Sequence, residues 1–315
     1  MPLLEMQGLT KHYGTRRGVD DVTLNVDQGE VFGFLGPNGA GKTTTIRQVM
    51  GFLKPDAGRA LVAGLDCWRE SVAVKRLVGY LPSGMALDPG LTGGQLLEYF
   101  ANLRGDVDQR YVGALAERFG LDLSRKFRQY SHGNKQKVGI VQAFMHKPPL
   151  LLLDEPTSGL DPLNQQEFAR LVRETRDDGR TVFLSSHVLS EVEELCDRVA
   201  IIREGRLVHV GALGSLTTIH RQVVEIVFAE AVLRGEFAAL PGVESAELLD
   251  QGRRVRLVVQ GDMDSVVKLA AQYRVTRLVS QQPALEESFM RFYARDDAAE
   301  DLANGAETQR PAGVA

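Results

Sequence analysis

Gly36-Pro37-Asn38-Gly39-Ala40-Gly41-Lys42-Thr43-Thr44 is the stretch from which the rest of this chain can be read. Its spacing is G-x-x-x-x-G-K-[ST], that of a loop that cradles phosphate groups. A polyphosphate carries dense negative charge, and backbone N–H groups hold it only where the chain approaches closely. Gly36, Gly39 and Gly41 permit that approach because they lack a Cβ. Lys42 then supplies a point charge for the outer phosphates, and the Thr43 hydroxyl supplies a ligand for Mg²⁺. The flanks agree with this. Val31-Phe32-Gly33-Phe34-Leu35 is an apolar run of the kind a buried parallel strand makes, and residues 43–51 read as a helix whose N-terminal dipole favours an anion. The competing reading is a plain glycine-rich turn, and the context on both sides weighs against it.

The 315 residues leave room for one large domain and a smaller one, and 43% hydrophobic with 25% charged residues is ordinary globular composition. Uninterrupted apolar runs last a handful of residues, far short of the roughly 20 that a membrane helix needs. Met1-Pro2-Leu3-Leu4-Glu5 has neither a basic n-region nor an apolar h-region, so no secretory signal is expected. Cys67 and Cys196 have no metal-site or redox spacing. Residues 1–215 hold 26 acidic and 26 basic side chains, and residues 216–295 hold ten of each. The net charge of −4 therefore sits in residues 296–315, which have five acids and one arginine. Such a balance predicts no nucleic-acid partner.

Ahead of the loop, Leu4–Leu9 and Val22–Val26 alternate apolar and polar residues, the period of half-exposed antiparallel strands. Tyr13 is expected in the loop between them, where it either stacks on an adenine ring or simply packs. From Asp88 to Lys147 the pattern is helical, over 92–104, 108–119 and 134–146, with glycines as punctuation. This predicts a helical insertion in an α/β fold. Leu150-Leu151-Leu152-Leu153-Asp154-Glu155 is then a buried parallel strand that ends on two carboxylates at the sheet's ligand-binding edge. Asp154 is placed to hold Mg²⁺ through water, and Glu155 to polarise an attacking water. Asp161 caps the next helix, with Pro162 at its first position. His187 follows the strand Thr181–Ser186, where it either meets a γ-phosphate or caps a helix. Val199–Ile202 and Arg206–Val210 read as a hairpin that closes the sheet.

Taken together, these residues resemble one family, the ATP-binding subunits of ABC transporters, over roughly residues 3–215. The most specific piece is Tyr130-Ser131-His132-Gly133-Asn134-Lys135-Gln136, which stands where that family carries Leu-Ser-Gly-Gly-Gln. The resemblance implies a P-loop NTPase core of the ABC type, with a mixed sheet, an antiparallel β subdomain and a helical subdomain at about 88–147. By the same resemblance Tyr13 stacks on adenine, Gly36–Thr44 grip the phosphates, Thr43 and Asp154 serve Mg²⁺, Glu155 is the base, Asp161 belongs to the D-loop and His187 senses the γ-phosphate. Ser131 and Gly133, at a helix N-terminus, make a second anion site for the nucleotide of an opposed subunit. ATP then joins two such subunits head to tail, and hydrolysis parts them. The implied partners are a second copy or a paralogous ATPase subunit, and a separate integral-membrane permease at the cytoplasmic face of the membrane. The sequence departs from the family at Tyr130, His132 and Asn134, and at Ser83, which stands at the metal- and water-facing position where the family usually has Gln.

Residues 216–295 read as βαββαβ followed by a helix from Pro283, a small ferredoxin-like domain, and residues 296–315 read as a disordered acidic tail. The closing Pro-Ala-Leu-Glu-Glu-Ser-Phe resembles the tails of subunits from the drug- and antibiotic-exporter branch. The expected function is therefore the ATP-hydrolysing subunit of an exporter of a drug or other hydrophobic compound. A soluble ABC ATPase with a non-transport or regulatory role is the alternative. Dimer contact, stabilisation and regulation by a ligand stay open as roles for the C-terminal domain.

Overall fold

A computed structural model describes residues 2–14, 16–213 and 221–281. The chain divides into two units, residues 1–213 and 214–315.

The first unit is built on two sheets. β1 (Pro2–Tyr13), β2 (Arg16–Asp27), β4 (Ala57–Val62) and β5 (Leu65–Asp66) form an antiparallel sheet in the order β2-β1-β4-β5. β3 (Val31–Leu35), β6 (Val78–Leu81), β7 (Leu150–Asp154), β8 (Thr181–Ser186), β9 (Arg198–Arg203) and β10 (Arg206–Ala212) form the second, in the order β10-β9-β3-β8-β7-β6. Every pairing in it is parallel except the edge pair of β9 with β10. Strands covered on both faces should be continuously apolar, and every residue of β3, β7 and β8 is buried. Leu150, Leu151, Leu152 and Leu153 are fully buried, which is worth roughly 6–12 kcal/mol at about 1.5–3 kcal/mol per side chain. Phe32 and Phe183, in register on neighbouring strands, stack with ring centres 5.8 Å apart.

One core cluster draws on both sheets and on helix α1 (Lys42–Val49), joining Leu4, Met6, Ile46, Val49, Leu152 and Phe183. α1 touches both β4 and β7. That double contact fixes the phosphate loop, which leads directly into α1, against the carboxyl edge of the parallel sheet.

Helices α2 (Ser71–Leu77), α3 (Gly93–Arg104), α4 (Gln109–Arg118) and α5 (His132–Phe144) carry the middle of the unit, and α6 (Pro162–Asp177) and α7 (Leu189–Leu195) follow β7 and β8. Their starts have local causes. Thr92 and Gln95 make a reciprocal capping box at α3, and Asp108, Ser131 and Asp161 cap α4, α5 and α6 through their side-chain oxygens. α5 begins two residues before the expected Asn134, because the Ser131 hydroxyl accepts from the Asn134 N–H and so makes Ser131 the cap. The first strand also outruns its expected span. β1 is paired on both sides, with register shifts that carry it past Gly8. Tyr13 therefore ends a strand instead of lying in the loop.

The second unit has β11 (Arg221–Phe228), α8 (Arg234–Ala238), β12 (Val243–Leu249), β13 (Arg254–Gln260), α9 (Asp264–Ala270) and β14 (Val275–Gln281). Its sheet runs β12-β13-β11-β14 with all pairs antiparallel, the ferredoxin-like arrangement. Burial alternates along β13, and Val255, Leu257 and Val259 point into a core with Phe228, Phe237 and Val266. The expected helix from Pro283 and the acidic tail lie outside the described residues.

Candidate nucleotide site

The loop after β3 curls because its glycines allow it. Gly41 sits at φ 112°, a left-handed conformation, and a Cβ there would come 2.6 Å from the Gly18 carbonyl. A Cβ on Gly36 would run into the Ile202 carbonyl. The curl leaves a cleft of about 410 Å³, lined by Tyr13, Asn38, Gly39, Lys42, Thr43, Thr44 and Glu155, with Gly18 and Gly41 on its wall. Pro37 and Ala40 do not line it; the Ala40 N–H donates to the Pro37 carbonyl within the loop, and Ala40 is buried.

Lys42 is 5% exposed, an uncommon place for an ammonium. It is satisfied by donating to the carbonyls of Gly36 at 2.6 Å and Pro37 at 3.0 Å, with Glu155 Oε1 at 3.4 Å. Its charge is held at the cleft by partners from which a phosphate oxygen can take it over.

The carboxyl end of β7 faces this lysine. Asp154 is fully buried and doubly bonded, by the Thr43 hydroxyl to Oδ2 at 2.8 Å and by the Ser185 hydroxyl to Oδ1 at 2.6 Å. Glu155 takes φ +51°, a left-handed conformation uncommon for a residue with a Cβ. Its backbone is held on both sides. The N–H donates to the Ser185 carbonyl and hydroxyl, each at 3.2 Å, and the carbonyl accepts from Gln136 Nε2 at 3.1 Å. Glu155 Oε1 also stands 3.3 Å from His187 Nδ1. A carboxylate so placed, a quarter or less exposed and between an ammonium and an imidazole, can accept a proton from a water lying on the cleft.

The site residues expected from sequence thus divide. Tyr13, Asn38, Gly39, Gly41, Lys42, Thr43, Thr44 and Glu155 line one cleft, with Asp154 bonded to Thr43 and His187 beside Glu155. Ser131, Gly133 and Asp161 do not line it. The segments that carry them meet instead: a Cβ on Gly133 would strike the Gly159 carbonyl, and His132 Nε2 lies 3.5 Å from Ser158 Oγ. Two bonds from Asn164 hold the Asp161 carboxyl below the usual carboxylate range. Ser83 is exposed beyond the end of β6 and does not line the cleft.

Three contributors are absent from the sequence reading. Ser185 fastens Asp154 and Glu155 together, Gln136 fastens Glu155 to the start of α5, and Glu191 accepts from Thr157 at 2.5 Å and Ser186 at 2.7 Å behind them. The signal that marks the first of them is polarity at the buried end of an otherwise apolar strand, in Leu184-Ser185-Ser186; Gln136 and Glu191 carry no such mark.

Comparison with known proteins agrees with the geometry. A sequence-family model described as ABC transporter matches residues 19–158. The daunorubicin resistance ATP-binding protein DrrA3 of Streptomyces coeruleorubidus is 34% identical over 304 residues, 93% of this chain and 96% of its own. The bacitracin transport ATP-binding protein BcrA of Bacillus licheniformis is 39% identical over 65% of this chain and 68% of its own. Among solved structures, an ATP-binding subunit of an ABC transporter superposes with a TM-score of 0.64 at 33% identity, over 69% of this chain and 92% of that one. With a phosphate loop, an acid-ended buried strand and a relative 34% identical along nearly its whole length, the chain belongs to the ATP-binding proteins of ABC transporters.

Proposed function

We propose that this chain is the motor subunit of an exporter for a drug, antibiotic or similar hydrophobic compound, working as a head-to-tail dimer on a separate permease at the cytoplasmic face of the membrane. Two of its relatives are named for daunorubicin resistance and bacitracin transport, and the first is similar from end to end. No helix among the described residues is long and apolar enough to cross a membrane.

In this reading the phosphates of ATP lie over Gly36–Thr44 with Lys42 on the outer pair, and Tyr13, 46% exposed at the cleft wall, takes the adenine. Thr43 and Asp154 fit Mg²⁺: they are hard oxygen donors 2.8 Å apart, and they would hold the ion beside the phosphates. The ion contributes charge neutralisation. Glu155 takes the proton of the attacking water, and His187 holds that carboxylate in place and meets the γ-phosphate.

The observation that carries the dimer is the separation of the two anion-binding elements. Ser131 and Gly133 open a 13-residue helix but lie outside the cleft of their own chain, so they serve a nucleotide held by another copy. The test is light scattering on Glu155→Gln with Mg·ATP. A mass twice that of the nucleotide-free chain is expected, reverting to one on Ser131→Arg. A single-chain mass in saturating Mg·ATP overturns the dimer.

A further inference from the structure

Beside the antiparallel sheet lies a second cleft of about 400 Å³, as large as the nucleotide cleft and sharing no residue with it. Leu9 and Ala60 make an apolar floor, and both are buried. Lys54, Arg59 and Arg69 stand around it as exposed cations, and Trp68, 43% exposed, offers a ring face.

The charges there are not spent on one another. The carboxylate in the cleft, Asp66, accepts from the backbone N–H groups of Trp68 at 3.0 Å and Arg69 at 2.8 Å. Arg59 is steadied by one bond from Nε to Gln7 Oε1 at 2.9 Å, which leaves the outer fork of its guanidinium for a planar or tetrahedral anion. The side chains of Lys54 and Arg69 have no ion-pair or hydrogen-bond partner among the described residues.

An independent observation points the same way. Gln48, from α1, lines this cleft and is 1% exposed. Its Nε2 donates to the Thr10 carbonyl at 3.2 Å, which orients the amide, and its Oε1 has no donor among the described residues. Buried acceptors are nearly always satisfied, so an oriented one without a donor marks where a donor is brought in.

We propose that this cleft binds a hydroxyl-bearing phosphate ester. Its phosphate oxygens accept from Lys54, Arg59 and Arg69, three donors for a group with three strong acceptors. A hydroxyl beside it donates to Gln48 Oε1, and the carbon skeleton lies on Trp68. The same chemistry belongs to the glycerophosphate headgroup of an anionic lipid and to a free polyol phosphate.

Trp68 is the only tryptophan in the chain, so its emission reports on this cleft alone. The full chain, with Mg·ADP saturating the phosphate loop, is titrated with glycerol 1-phosphate and, separately, with vesicles of phosphatidylglycerol or of phosphatidylcholine. A saturable change with glycerol 1-phosphate supports a free ester as the source. One seen only with phosphatidylglycerol vesicles supports the lipid headgroup. In either case Arg69→Glu, an exposed substitution outside the ATP cleft, weakens binding tenfold or more while ATPase activity stays as it was. Gln48→Leu weakens glycerol 1-phosphate more than inorganic phosphate. Emission that saturates with neither probe, or a Kd unmoved by Arg69→Glu, overturns the proposal.

Discussion

Glu155 is ion-paired with Lys42, Oε1 to Nζ at 3.4 Å, so the proposed base and the ammonium proposed to bind phosphate hold each other. A polyphosphate that takes Lys42 must compete with that carboxylate and lie near its negative charge. Glu155→Gln removes both penalties and also removes the proton acceptor. Hydrolysis should fall by about 10²–10⁴-fold, the usual worth of a positioned base. ATP affinity should rise at the same time, by several-fold. Equilibrium binding and single-turnover hydrolysis check the pair of effects. Affinity that falls together with the rate would mean that Glu155 holds the loop in shape and does no more.

Ser185 ties Asp154 to Glu155 across neighbouring strands, through a hydroxyl that donates to one carboxylate and accepts from the other residue's N–H. Ser185→Ala leaves buried Oδ1 of Asp154 without its donor, a loss of about 1–3 kcal/mol. Stability in urea should drop by that amount. The Mg²⁺ concentration for half-maximal ATPase should rise several-fold as Asp154 loses its fixed orientation. A stability loss with an unchanged Mg²⁺ curve would leave Ser185 a purely structural bond.

These two residues also mark how far the sequence was legible. The phosphate loop, β3, β7 and β8 could be read because their causes are local: glycine spacing, and apolar runs covered on both faces. Asp154 and Glu155 followed, since acids at the end of four leucines stand at the sheet edge. Ser185 and Gln136 did not, because each is defined by a partner 31 or 19 residues away, and their types alone say nothing of it. The start of α5 and the reach of β1 were misjudged for a similar reason. A side-chain cap and a strand paired on both sides outweighed the periodicity. Ser131, Gly133 and Asp161 were expected by resemblance alone, and none of them lines the cleft of its own chain.

His146 allows a pH prediction. Burial, with the positive charge of Arg104 adding to it, lowers its imidazole from 6.5 to about 4. A group whose folded pKa lies below its unfolded one takes up its proton first in the unfolded chain. Its contribution is therefore complete above about pH 6.5 and is lost as pH falls toward 4. Each unit is worth about 1.4 kcal/mol, and solvent reaching the partly open ring reduces the sum to about 2 kcal/mol. His146→Leu should flatten the fall in unfolding free energy between pH 7 and pH 4.5 by that amount. Urea melts at several pH values measure it, and parallel curves for the two proteins would remove His146 from the account.

Gly159 meets His132 where the turn that leads to Asp161 packs on the start of α5. Gly159 sits at φ +75°, and a Cβ on it would run into His132 Cδ2. Gly159→Ala therefore carries two separable penalties, about 1–2 kcal/mol for a left-handed alanine and a further one for displacing the imidazole. His132→Ala clears the second and cannot touch the first. In a double-mutant cycle the pair should be less damaged than the sum of the singles by about 0.5–3 kcal/mol. The same cycle read as ATP-driven dimerisation should show a partial rescue, because Ser131 precedes His132 and moves with it. Additive effects in both readouts would mean that the turn and the helix start shift independently. In that case the exposed imidazole at the second position after Tyr130 would be free to act on its own.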